Sequence, residues 1–120
     1  MKNTILTIAI LVSALSLSAK GIDSITNDST GAYINFIQET VRVELNPELK
    51  SIHINDVDEF LRILDVVYNS NQGDRYSDRA NHRSISKTKN GITIVSHVGI
   101  LNLNDNQFNQ LIEQLNNLNN

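Results

Sequence analysis

Two stretches of this 120-residue chain have the apolar spacing of an amphipathic helix. In the first, Val57–Tyr68, apolar residues recur three or four positions apart, Asn55 is placed as the N-cap, and acidic residues occupy the first turn. The second, Phe108–Leu118, repeats this spacing after a cap at Asn104 or Asp105. Each helix must bury its apolar side, so the chain is restricted to folds in which helices cover another layer.

Short runs of alternating apolar and polar residues precede both helices and predict antiparallel strands. Before the first helix these runs are Ile34–Phe36, Val41–Leu45 and Ile52–Ile54. A turn at 46–50, which contains Pro47, is expected to lead into the last of them. Before the second helix, Leu101–Leu103 is predicted as a final short strand.

A hairpin is predicted over 84–98, with its turn at Asn90-Gly91, the dipeptide that a type I′ turn favours. A two-residue loop would place Lys87 and Lys89 on the same face as Ile92, where lysines are costly to bury. A longer loop with a bulge at Gly91 would move both lysines to the opposite face. We expect this second register because it leaves a cleaner apolar face.

These elements give the order β-β(-β)-α-β-β(-β)-α. We expect one small α+β domain over 32–120, an antiparallel sheet of about four to six strands with both amphipathic helices on one face. An Asn-Asp pair stands before each helix, at Asn55-Asp56 and Asn104-Asp105, which hints at a duplicated ββα unit. The other face of the sheet must be polar, covered by the preceding segment or paired with another molecule.

Residues 1–19 have the layout of a secretory signal peptide. Lys2 supplies a positive start, Ile5–Leu17 is an apolar run of 13 residues, and cleavage is expected after Ala19 or Ser18. A membrane-spanning helix needs about 20 apolar residues, so no stable membrane insertion is expected after cleavage. The protein is therefore predicted to be exported, to the periplasm or the exterior. Residues 20–31 lack periodicity and are predicted to be a linker or loosely attached segment.

The chain contains no cysteine and has a formal charge of −3 at pH 7. The missing cysteines exclude disulfides, thiolate metal sites and thiol nucleophiles. An acidic total charge with few aromatic residues argues against a nucleic-acid partner. The sequence holds no phosphate-binding loop, zinc-peptidase or serine-hydrolase motif, so it predicts no cofactor and no catalytic residue.

Charge is segregated along the chain, and its basic part is the candidate site. Residues 22–70 hold nine acidic and three basic side chains, whereas residues 71–99 hold two acidic and five basic ones. If the basic part is helical, Arg75, Arg79 and Arg83 share one face; otherwise it is an exposed loop whose charges pair locally. A shared face would bind an anionic ligand or an anionic group of a protein. The candidate anion- or partner-binding residues are Arg75, Tyr76, Arg79, His82, Arg83, Lys87 and Lys89.

The three histidines, His53, His82 and His97, raise the question of a metal site. None of them has a second histidine at the spacing that would place two ligands on one face of a helix or strand. No metal site is predicted, and the histidines are expected at the surface or on the less apolar faces of strands.

Three hypotheses of function are compatible with this sequence. The first is a small exported binding or protein-interaction domain without enzymatic activity, which is supported by elimination. The second is an enzyme or ligand carrier in which Arg75, Arg79 or Arg83 converges with His82 or His97 in one concave site. The third is a structural homodimer that buries the open sheet face or a strand edge.

Overall fold

The computed structural model describes residues 21–38 and 48–118 of the chain. The first part of the described chain forms three strands and a helix: Ile22–Asp28 (β1), Gly31–Ile37 (β2), Leu49–Ile54 (β3) and Val57–Tyr68 (α1). The second part forms four strands and a helix: Arg75–Asp78 (β4), Arg83–Thr88 (β5), Gly91–Ser96 (β6), Gly99–Asn104 (β7) and Asp105–Leu118 (α2). The described residues therefore form an α+β fold in the element order that the sequence predicts.

The described strands form two antiparallel sheets, one with the order β1-β2-β3 and the other with the order β4-β5-β6-β7. Strands that are neighbours along the chain are neighbours in each sheet, which is the simplest antiparallel topology. Two-residue turns at Ser29-Thr30, Lys89-Asn90 and His97-Val98 join three of the strand pairs. This topology leaves β3 at the edge of the first sheet.

Both helices begin at a side-chain cap. Asp56, and not the expected Asn55, caps α1, because its carboxylate accepts the backbone N–H of Glu59 at 3.0 Å. Asn104 caps α2, since its side chain accepts the Gln107 N–H at 2.8 Å and the Gln107 side chain accepts the Asn104 N–H at 2.9 Å. The predicted C-terminal end of the first helix is confirmed, and its N-terminal end lies one residue later than a cap at Asn55 implies.

The helices join the two sheets around one core. Helix α1 follows the three-stranded sheet but packs on β4, β5 and β6, whereas α2 packs on β1 as well as on β6 and β7. Seventeen buried hydrophobic side chains of the described residues form a single cluster. Where the helices meet, the Tyr68 ring stacks on Phe108 with 4.0 Å between centroids, and its hydroxyl donates to Asp105 at 2.8 Å. Both sheets therefore depend on the same packing.

The order of elements repeats, as the sequence hints. β1-β2-β3-α1 is followed by β5-β6-β7-α2, and β4 is the one described element without a counterpart. Gly31 and Gly91 occupy equivalent positions in the two units. A Cβ atom on Gly31 would overlap the Ile54 carbonyl oxygen, and one on Gly91 would overlap that of Leu103. Glycine is required at both positions because the neighbouring strand approaches so closely.

Two segments without a clear periodic pattern form strands. The described part of the predicted linker is β1 and its turn, paired with β2 from Ile22 to Asp28. The segment 73–83, predicted to be an exposed loop or a helical turn, contains β4, which pairs with β5. Backbone hydrogen bonds form both edge strands, and these bonds leave no signature in side-chain periodicity. The predicted strand Val41–Leu45 and the predicted signal peptide lie outside the described residues.

The hairpin of β5 and β6 has a different register from the one expected. Thr88 pairs with Gly91, so the turn is Lys89-Asn90 and the predicted bulge at Gly91 is wrong. Lys87 therefore lies on the apolar face of the sheet. It is accommodated there because its Nζ lies 4.1 Å from the centroid of the Tyr68 ring, a cation–π contact at the rim of the core.

The outer face of the three-stranded sheet is polar. The Asn35 side chain, which is 8% exposed, donates to the hydroxyls of Ser24 and Thr26 and accepts from that of Ser51.

Among the residues that are described, no helix is long and apolar enough to span a membrane.

We predict that Gly91→Ala lowers the free energy of unfolding by about 2–3 kcal/mol, because the added Cβ forces β6 and β7 apart. Lys89→Ala in the adjacent turn is the control and should change this free energy by less than about 0.5 kcal/mol. Urea unfolding followed by circular dichroism measures both. Equal stability of the two variants would contradict the close approach of these strands.

Candidate functional site

All three histidines of the chain line one cleft of about 310 Å³. One side of this cleft is the stretch Ser51–His53 of the edge strand β3. The other side consists of the β4–β5 connection, Ala80–Arg83, and the Ser96–Val98 turn after β6. We call it the histidine cleft. It lies where the two sheets meet, so residues far apart in the sequence converge in it.

The Arg83 side chain lines the histidine cleft and connects the two sheets. Its Nη1 donates to the His53 carbonyl oxygen at 2.8 Å, and its Nε lies 3.7 Å from the Asp78 carboxylate. The guanidinium also lies 5.4 Å from the centroid of the Phe60 ring. Burial lowers the pKa of Arg83 below its ordinary value, while the Asp78 charge opposes this shift. Protein groups thus hold this guanidinium in place.

Asp78 also shapes the connection that carries His82. Its carboxylate accepts the Asn81 side-chain amide at 2.8 Å and the Asn81 backbone N–H at 3.2 Å. These hydrogen bonds, the side-chain one first, lower the pKa of Asp78 below its ordinary value of 3.8. The turn therefore depends on the charged form of this carboxylate.

His82 and His97 are exposed side chains with 6.1 Å between their ring centroids. His82 has a φ of +55°, a left-handed conformation that is less favourable for a residue with a Cβ atom than for glycine. The turn holds His82 in this conformation next to His97. A single carboxylate placed between the rings can accept an N–H from each, since an N–H···O bond needs about 2.8 Å.

His53 is held more firmly than the other two histidines. Its ring packs against Tyr33 with 4.8 Å between centroids, and its Nε2 lies 3.1 Å from the Thr30 carbonyl oxygen. His53 thus contributes chiefly its backbone to the side of the cleft that β3 forms.

The histidine cleft is lined by hydrogen-bond donors that suit an anion. Arg83 and the three histidines line it, and no acidic side chain among the described residues does so. The chain as a whole contains 13 acidic residues and has a net charge of −3. A concave site with this lining favours anionic groups over cationic ones.

The structure divides the predicted basic cluster. Because 75–78 is a strand followed by a turn, the predicted helical face of three arginines does not form. Arg75 lies opposite Ser86, on the sheet face away from the core. Arg79 borders a shallow depression beside the histidine cleft, together with His82 and Arg83.

The remaining predicted site residues lie outside the histidine cleft. Tyr76 lines a smaller pocket of about 50 Å³ next to Phe60 at the start of α1. Lys87 contacts the Tyr68 ring, and Lys89 lies in the exposed turn after β5. Of the seven predicted residues, only His82 and Arg83 line the histidine cleft.

The remaining cleft residues, Ser51, His53, Ser96 and His97, are absent from the predicted set. They lie on a strand edge and in a hairpin turn, and only the packing of one sheet against the other brings them near His82. Local spacing carries no signal for such a site.

Among the described residues, no group of three or more histidine, cysteine, aspartate or glutamate side chains is placed to hold a metal ion.

The chain matches no protein-family model, and comparison with curated proteins and with solved structures gives no significant match.

We predict that His82→Gly is more stable than His82→Ala by about 1 kcal/mol, because glycine adopts the left-handed conformation without strain. Both variants lack the imidazole, so their difference reports the backbone alone. Urea unfolding measures it. If alanine at this position were as stable as glycine, His82 would not be strained in the folded protein.

A second prediction concerns pH. The lowered pKa of Asp78 means that its contribution to stability is present above about pH 4 and is lost as pH falls through the folded-state value. Asn81→Ala removes the main hydrogen bond behind this shift and should reduce the free energy of unfolding by about 1 kcal/mol at pH 7. The loss should shrink below pH 3. Urea unfolding at a series of pH values tests it, and an equal loss at pH 7 and pH 2.5 would contradict this role of the carboxylate.

Proposed function

We propose that the protein is a small exported binding domain, without enzymatic activity, that holds an anionic group of its partner in the histidine cleft. One observation carries the proposal: all three histidines and a buried arginine line a single cleft that has no acidic lining among the described residues. In a chain with 13 acidic residues, this lining gathers imidazole and guanidinium donors at one place without a carboxylate beside an incoming anion.

His82 and His97 are the proposed contacts to the anion. His82 and His97 have rings close enough to share one carboxylate. Arg83 is already bonded to His53 and near Asp78, so it contributes positive potential and shape more than a new hydrogen bond. Arg79, at the neighbouring depression, is placed to attract an anion from solvent.

The strain at His82 supports a binding role. A left-handed residue other than glycine costs stability, and such strain persists where the surrounding structure imposes it, often at functional positions. Here the strained residue is one of the two histidines proposed to contact the anion.

Export is part of the proposal and rests on the pattern of residues 1–19, which indicates a secretory signal peptide. The enzyme or carrier hypothesis also requires Arg83 to lie beside His82 or His97 in a concave site, as these residues do in the histidine cleft. That hypothesis and the homodimer hypothesis stay predictions.

We predict that the protein binds a small tricarboxylate, tricarballylate, at pH 5.5, a pH at which imidazole side chains generally carry charge. The double variant His82→Ala/His97→Ala should bind about tenfold or more weakly, because two charge-assisted hydrogen bonds are lost. Isothermal titration calorimetry measures both affinities.

The control variant is Arg75→Ala/Lys89→Ala, which removes two cations outside the histidine cleft and should bind like the unmodified protein. If this control loses as much affinity as the histidine variant, general electrostatic attraction explains the binding and the proposed site is wrong. If the unmodified protein does not bind tricarballylate, the proposed function itself is wrong.

A further inference from the structure

The histidine cleft contains the open edge of a strand as well as basic side chains. β3 is the last strand of its sheet, and in the described residues no strand pairs with its outer side. The stretch of this edge that lines the cleft is Ser51–His53. An open edge of this kind accepts a further strand through backbone hydrogen bonds.

The register shows which backbone groups face the cleft. Gln38 donates to the Glu48 carbonyl oxygen at 3.1 Å, which makes these two residues a hydrogen-bonded pair. Bonded and non-bonded pairs alternate along antiparallel strands, so Ile52 bonds to β2, whereas Ser51 and His53 direct their N–H and C=O groups outward. The bond from Arg83 to the His53 carbonyl oxygen agrees with this orientation.

Arg83 limits the open stretch. Its Nη1 donates to the His53 carbonyl oxygen, so that oxygen is not available to an added strand. The added strand can use the N–H and C=O of Ser51 and the N–H of His53. At the end of this stretch it contacts the Arg83 guanidinium. The same strand lies beside His82 and His97 across the cleft. Backbone pairing and a carboxylate contact are therefore available to one ligand at once.

We infer that the partner is an extended polypeptide segment with acidic side chains, which adds to the outer edge of β3 as a fourth strand. This inference rests on the proposed function, since the acidic side chain takes the place of the anion between His82 and His97. The lining of the cleft, which lacks a carboxylate, favours this segment over β4 or β7 of a second copy, because the charges of Arg75 and Asp78 in β4 cancel and β7 has no charged side chain. Strand β1 of a second copy carries Asp23 and Asp28, and light scattering tests it below.

The test uses an acetylated, amidated peptide of alternating valine and glutamate, six residues long. Ser51→Pro removes the outward N–H of β3, while Ser51→Ala keeps that N–H and loses the same hydroxyl bond to Asn35. We expect Ser51→Pro to bind the peptide about tenfold more weakly than Ser51→Ala, and both to bind tricarballylate equally. Thermal unfolding by circular dichroism verifies that each variant is folded.

A second comparison keeps the protein unchanged. The same peptide with N-methylated backbone amides retains its carboxylates but cannot pair as a strand, and a valine–glutamine peptide can pair but has no charge. Both should bind about tenfold more weakly than the parent peptide. This comparison tests strand addition even if Ser51→Pro fails to fold.

If the N-methylated and parent peptides bind equally, strand addition is wrong, but the proposed anion site is not contradicted. Equal binding of the valine–glutamine peptide would overturn the acidic preference. If light scattering shows a dimer that Ser51→Pro converts to a monomer, the occupant of the edge is a second copy and the inference is wrong. If the unmodified protein does not bind tricarballylate, the proposed function itself is wrong.

Discussion

The guanidinium of Arg83 is the interaction on which the site depends. It belongs to β5 in the four-stranded sheet, bonds to the His53 carbonyl oxygen of the other sheet, and lies over Phe60 of α1. Only 8% of the side chain is exposed, and a buried cation is tolerated only when its donors find partners. Asp78 provides the opposite charge and also holds the turn that presents His82. One arginine thus fixes both sides of the histidine cleft.

The role of Arg83 distinguishes basic side chains that stabilise the fold from basic side chains that are exposed to a ligand. Five of the seven basic or aromatic candidates of the sequence lie outside the histidine cleft: Arg75 faces away from the core, Tyr76 lines another pocket, Arg79 borders the neighbouring depression, Lys87 contacts an aromatic ring, and Lys89 is in a turn. The proposed contacts to an anion inside the cleft are His82 and His97. The proposed partner would use both these side chains, through a carboxylate, and the strand edge, through an extended backbone.

The parts of the fold that follow side-chain periodicity could be predicted from the sequence. Helix α1 spans the predicted apolar stripe because that stripe faces the core, although its cap is Asp56 and not Asn55, and the predicted α+β class is confirmed. β1 and β4 could not be predicted, because backbone pairing with β2 and β5 forms them from polar residues. For the histidine cleft, the enzyme or carrier hypothesis already expects Arg83 to converge with His82 or His97, and the structure brings these three residues together. The part that β3 contributes could not be predicted, because the two sheets place Ser51 and His53 near them only after packing.

The central claim is that His82 and His97 receive one carboxylate of an extended partner. Nuclear magnetic resonance of the histidine ring signals, during titration with the acidic peptide, tests it most directly. The account predicts that the His82 and His97 signals shift together with one affinity, that the Ser51 amide shifts with them, and that resonances of Arg75 and Lys89 stay in place. Peptide-induced shifts at Arg75 and Lys89, with unchanged histidine signals, would contradict the account.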